Sequence, residues 1–180
     1  MEPNMIEDVV RSLGYGTLGS RLKRIGEKLQ SQTQEISNEV AKAELSASLN
    51  PVLATLDRNG SLSIGHLAEA LGQSQPGVTR VVNKLKAAGL VESQPDEKDR
   101  RVNRIALTDR GVALVWHLQQ TLWPKVMLAV KDACAGLEGS LLQQLSQLED
   151  ALDEQPLRKR CSSDSLPDWS RLAQEMEDPR

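Results

Sequence analysis

Two short apolar periodicities separated by only two residues constrain this chain more than any other feature. Ser63 is placed as an N-cap, Ile64, Leu67, Ala68 and Leu71 share one helical face, and Gly72 follows where the helix must stop. Gln73 and Ser74 alone intervene before a second helix starts at Gln75-Pro76, where the missing proline N–H costs nothing. Val78, Val81, Val82 and Leu85 give that second helix a buried face, and Gly89 ends it. A strand over Val91 to Gln94, a charged turn from Pro95 to Arg100 and a second strand from Arg101 to Leu107 complete the unit. Helix, tight turn, helix and hairpin in that order predict a winged helix-turn-helix.

The second helix carries a polar set between its buried positions: Gln75, Thr79, Arg80, Asn83 and Lys84. A helix fits the major groove of DNA, and residues in its N-terminal half reach the base edges. Arg80 suits bidentate recognition of guanine, and Gln75 or Asn83 suits adenine. Lys84 and Lys86 are better matched to phosphates, which add affinity without sequence information. The net charge of −3 does not itself point to nucleic acid, but its distribution does. Ser74 to Arg110 holds eight basic and five acidic residues, a local +3 that leaves the remainder at −6.

The flanking sequence is helical. Leu18, Leu22, Ile25, Leu29, Ile36 and Val40 form an apolar stripe that needs a partner surface, and Gly14-Tyr15-Gly16 breaks or frays its start. A short helix is expected from Ser46 to Leu56, with Pro51 obscuring its beginning, and Asn59-Gly60 forces a turn. Thr108 caps a long helix whose core side takes in Val112, Val115, Leu118, Leu122, Val126, Val130 and Leu137, kinked or broken at Pro124. After a turn from Gly136 to Ser140, Leu141, Leu142, Leu145, Leu148 and Leu152 define a last helix. The expected organisation is an N-terminal dimerisation region at 1–44, a DNA-binding winged module at 45–110, C-terminal dimerisation helices at 111–155 and a tail at 156–180. In that tail Leu166, Trp169 and Leu172 offer a docking segment, with disorder the alternative. The fold class is mainly α with a small β-hairpin wing.

Leu67-Ala68-Glu69-Ala70-Leu71-Gly72, followed by Ser74-Gln75-Pro76-Gly77-Val78-Thr79-Arg80, resembles the helix-turn-helix of the multiple-antibiotic-resistance regulator (MarR) family. Leu85-Lys86-Ala87-Ala88-Gly89-Leu90-Val91 closes the module in the same manner. Asp99-Arg100-Arg101, five residues, then Leu107-Thr108 is similar to the family's wing pattern of Asp-x-Arg, spacer and Leu-Thr. The resemblance implies a DNA-binding regulator, by family default a repressor, acting as a homodimer on a roughly palindromic site. It implies DNA contacts from Gln75, Pro76, Gly77, Thr79, Arg80, Asn83 and Lys84, with Arg100 and Arg101 at the wing and Arg101 entering the minor groove. Asp99 would orient the wing arginine. A small, often aromatic, acid would act as effector, with Tyr15, Trp116 and His117 as candidate contacts.

Other classes find less support. No apolar run approaches the roughly 18 residues of a membrane span, and the N-terminus lacks a secretory pattern. Cys134 and Cys161 stand too far apart for a disulfide framework or a zinc site, so a cytoplasmic chain with reduced thiols is expected. Cys161 beside Arg158-Lys159-Arg160 is a minor candidate for a lowered thiol pKa, and Cys134 for inert core. His66 and His117 have no partner at catalytic or metal-ligand spacing, so neither an enzyme nor a cofactor or metal site is expected. The serious alternative is a winged helix used only for protein contact, which would favour apolar residues on the exposed face of the second helix.

Overall fold

A computed structural model describes residues 7–40, 46–96 and 103–160. Its elements run α1 (Val9–Ser12), a 3-10 turn (Gly14–Thr17), α2 (Leu18–Val40), a 3-10 turn (Ala47–Leu49), α3 (Asn50–Asn59), β1 (Leu62–Ser63), α4 (Ile64–Ala70), α5 (Gln75–Ala87), β2 (Val91–Pro95), β3 (Asn103–Leu107), α6 (Asp109–Ala133), α7 (Leu141–Glu154) and α8 (Leu157–Arg160). The chain divides into two compact units, one spanning Gln30–Val130 and the other joining the residues up to Leu29 with those from Lys131 onward. Among the described residues no helix is long and apolar enough to cross a membrane.

The central unit holds the core. Leu53, Leu56, Leu67, Val78, Val82, Leu85, Leu90, Ile105, Val115 and Leu122 are almost fully buried, drawn from α3 through α6. Leucine and the β-branched residues fill it, as the shortage of aromatics requires. Pro51 sits in the first turn of α3, where its missing N–H is harmless. The sheet has order β1-β3-β2 and is antiparallel throughout, with Leu62 opposite Ile105 and Val91 opposite Leu107. β1 was not expected. It is two residues long, too short for a periodicity, and exists because it pairs with a strand some forty positions later.

Three other expectations change. α6 runs unbroken through Pro124, because the buried Leu122 and the partly buried Trp123 and Val126 bind both sides of the proline to the core. Val112 and Leu137 are each 52% exposed rather than core, Leu137 lying beyond the end of α6. Cys134 lies half-buried just after that helix rather than in the core.

The terminal unit is built differently. Thr17 Oγ1 donates to the Val10 carbonyl at 2.8 Å, joining the 3-10 turn to α1, and Arg24 Nη1 of α2 donates to Asp8 Oδ1 before α1 at 2.9 Å. The Arg24 guanidinium holds the Asp8 carboxyl below its usual pKa. Ser140 caps α7 by accepting from the Gln143 N–H at 3.3 Å. No hydrophobic residue described in this unit is buried, whereas Leu22, Ile25, Leu29, Leu141, Leu142 and Leu152 all stand exposed.

Candidate nucleic-acid interface

The interface is assembled by the helix caps. Ser63 Oγ accepts from the His66 N–H at 3.2 Å and starts α4; Ser74 Oγ accepts from the Gly77 N–H at 3.3 Å and starts α5. Between them Gly72 takes φ +58°, a left-handed turn open to glycine, and the chain reverses in the two residues that remain. Val78, Val82 and Leu85 are pinned in the core, so the opposite face of α5 must point outward. Gln75, Pro76, Thr79, Arg80, Asn83 and Lys84 are all exposed there, and Gly77 is half-buried beneath them.

Local hydrogen bonds shape this face. Thr79 Oγ1 donates to the Gln75 carbonyl at 2.8 Å. Arg80 Nε makes a long 3.4 Å contact with the Pro76 carbonyl, leaving both terminal nitrogens of the fork uncommitted. The amide nitrogen of Gln75 lies back toward Gly65 in the first turn of α4. Lys86, expected to meet phosphate, is exposed, and its Nζ donates to Ser93 Oγ at 2.5 Å, linking the end of α5 to β2.

The wing root is fastened from a second direction. Thr108 Oγ1 donates to the Gly89 carbonyl at 2.8 Å and accepts from the Gly111 N–H at 3.1 Å, so one side chain caps α6 and closes the turn after α5. Arg104 in β3 reaches Ser61 and Asp96. Sequence reasoning overlooked this trio, since a single arginine in a strand next to two other arginines carries no distinguishing signal. Asp99, Arg100 and Arg101 lie outside the described residues, as do Cys161 and the segment with Leu166, Trp169 and Leu172.

The remaining candidates fall elsewhere. Trp116 and His117 are exposed on α6, and Tyr15 is 86% exposed in the 3-10 turn of the terminal unit. His66 Nδ1 stands 3.1 Å from Ser63 Oγ, a serine–histidine contact that the sequence had not indicated. It is a capping contact, because the same hydroxyl is committed to the His66 backbone N–H and both groups are exposed.

Two helices at a two-residue turn, a three-stranded wing sheet and an exposed polar and basic helix face define a winged helix-turn-helix DNA-binding module. Residues 51–102 match the model of the MarR family. Over that segment, which takes in α4, α5 and β2, the chain is similar to the MarR family of regulators. It is 28% identical over 138 residues to the Escherichia coli K12 transcriptional repressor MprA, covering 71% of this chain and 78% of that one. Its fold is similar to that of an E. coli MarR mutant, cysteine to serine, complexed with operator DNA. There the TM-score is 0.56 at 19% identity, over 82% of this chain and 98% of the other. It is likewise similar to Bordetella bronchiseptica BpsR, whose DNA binding is regulated by 6-hydroxynicotinic acid. That likeness has TM-score 0.56 at 22% identity and covers 77% of this chain and 92% of BpsR.

Proposed function

We propose that the chain is a cytoplasmic transcription repressor that binds a pseudo-palindromic operator as a homodimer, laying one α5 in the major groove of each half-site. The observation that carries this is the division of α5: Val78, Val82 and Leu85 buried, Gln75, Thr79, Arg80, Asn83 and Lys84 exposed together. A protein-docking surface would favour apolar groups where these stand. Asp99, Arg100 and Arg101 extend the contact at the wing, with Arg101 matched to a narrow minor groove. The test is binding to random and genome-derived duplexes over a range of salt. Affinity should fall steeply and linearly with log salt, and selected fragments should share an inverted repeat. Binding that ignored salt and sequence would overturn the proposal.

The terminal unit supports the dimer. Helices with no fully buried apolar side chain draw little on the main source of folding free energy, about 25 cal/mol per Å² of apolar surface buried. A second copy covering Leu22, Ile25, Leu29, Leu141, Leu142 and Leu152 supplies it. Light scattering at micromolar concentration is expected to report twice the 19.8 kDa chain mass, and a 19.8 kDa particle would refute the dimer. An acidic effector fits the chemistry of the same unit, where a cleft of about 450 Å³ is lined by Arg11, Arg21, Arg24 and Lys28 with Asp8 and Ile25. Tyr15, Trp116 and His117, the effector contacts that the family resemblance implies, do not line this cleft.

A further inference from the structure

Arg104 is one of two β3 positions, with Ile105, that pair with both neighbouring strands; it stands opposite Gln94 of β2 on one side and Ser63 of β1 on the other. Its side chain turns inward. Nε donates to Ser61 Oγ at 3.0 Å, Nη2 donates to the Ser61 carbonyl, and Nη1 donates to Asp96 Oδ2 at 3.0 Å. The Arg104 and Asp96 side chains are only 34% and 16% exposed, so solvent screens the pair less than it would a surface ion pair. All three guanidinium nitrogens are engaged, which leaves little for a phosphate.

The place of this bridge matters. The last register pair before the wing turn is Pro95 opposite Asn103, and proline has no N–H to give the ladder. The hairpin therefore loses a ladder donor just where it leaves the sheet, and Asp96 is the next residue. We infer that Arg104 is a positioning residue that clamps the wing root to Ser61 through Asp96 and so fixes where the wing's basic residues meet DNA. The inference rests on the DNA-binding function proposed above. It also explains an acid inside the basic segment: near a polyanion Asp96 is electrostatically unfavourable unless it serves to hold the arginine.

The experiment measures operator affinity, at several salt concentrations, for the full-length dimer and its Asp96→Asn, Arg104→Lys and Arg104→Gln variants. All three should bind on the order of tenfold more weakly, the scale of one charge-assisted hydrogen bond, with the salt slope unchanged. Lysine should not rescue, because it cannot bridge three acceptors. If Arg104 instead touched phosphate, lysine would restore binding and glutamine would make the slope shallower. If Asp96 acted by charge alone, Asp96→Asn would bind more tightly; either result overturns the clamp. In an Arg101→Ala background the Asp96→Asn loss should shrink below about twofold, since the wing no longer reads DNA. A full independent loss there also overturns it. Amide exchange at Gln94 and Arg104 in free protein should quicken in Asp96→Asn, and unchanged exchange would refute the clamp even if DNA binding itself were disproved. Should Arg104→Lys lose its fold, seen as a collapsed melting temperature, Asp96→Asn decides alone.

Discussion

Gly111→Ala is expected to lower the melting temperature by roughly 5 °C or more and to weaken DNA binding in parallel. A Cβ at this position would stand 2.1 Å from the Leu90 carbonyl oxygen and 3.3 Å from Leu107 Cδ2. The nearer obstacle is backbone, so no rotamer change relieves it. Two effects oppose each other. Alanine in a helix gains up to about 1 kcal/mol over glycine, while overpacking a tight site costs about 1–3 kcal/mol and more where backbone must move. The clash wins, by about 2 kcal/mol. The Leu90 carbonyl also accepts the Thr108 N–H at 3.0 Å, and Thr108 Oγ1 holds the Gly89 carbonyl at 2.8 Å. Displacing Leu90 therefore disturbs the start of α6, the end of the α5 turn and the first residue of β2 together. Val112→Ala, one position along on a half-exposed side chain, is the control and should change stability by less than about 0.5 kcal/mol. Thermal melts at one fixed protein concentration compare the three proteins, and equal stability of Gly111→Ala and wild type would show that the close approach is not structural.

What was legible in the sequence was what local chemistry writes. Ser63 and Thr108 cap their helices, Gly72 and Gly89 take φ +58° and +68° after theirs, and Val78, Val82 and Leu85 lie buried at helical spacing. Each depends on neighbours within about four residues. What escaped depends on distant partners. β1 is defined by Ile105 and Arg104, Lys86 donates to Ser93 in the next strand, and Arg104 is committed by Ser61, forty-three residues earlier, and by Asp96. Pro124 is the reverse case: a strong local signal for a kink or break did not interrupt α6, whose flanking residues pack on the core. The polar face of α5 was readable because it follows from the buried one, whereas the wing root was not, since its bonds cross between strands.

Arg80→Ala is expected to cost about 1–3 kcal/mol of operator binding, roughly 5- to 150-fold, and to relax base preference at one position in each half-site. Stability should hardly move. Arg80 is exposed, its single intramolecular contact is a 3.4 Å approach to the Pro76 carbonyl, and alanine is at least as good a helix former. The loss therefore reports recognition rather than folding. Arg80→Lys separates charge from shape: it keeps the cation but not the planar fork, so most of the base preference should go while much of the nonspecific affinity stays. Lys84→Ala should behave in the opposite manner. Lysine meets phosphate as a point charge, so all sequences should weaken about equally. A dimer loses two such contacts, and the slope of log affinity against log salt should become shallower by about 2. Selection from a randomised duplex pool, repeated with each variant, reads both effects at once. An unchanged motif with Arg80→Ala would remove that residue from the base-reading set and leave Asn83 and Gln75 to carry it. A sequence-dependent loss with Lys84→Ala would move that residue into the set, because a contact to phosphate alone cannot distinguish one base pair from another.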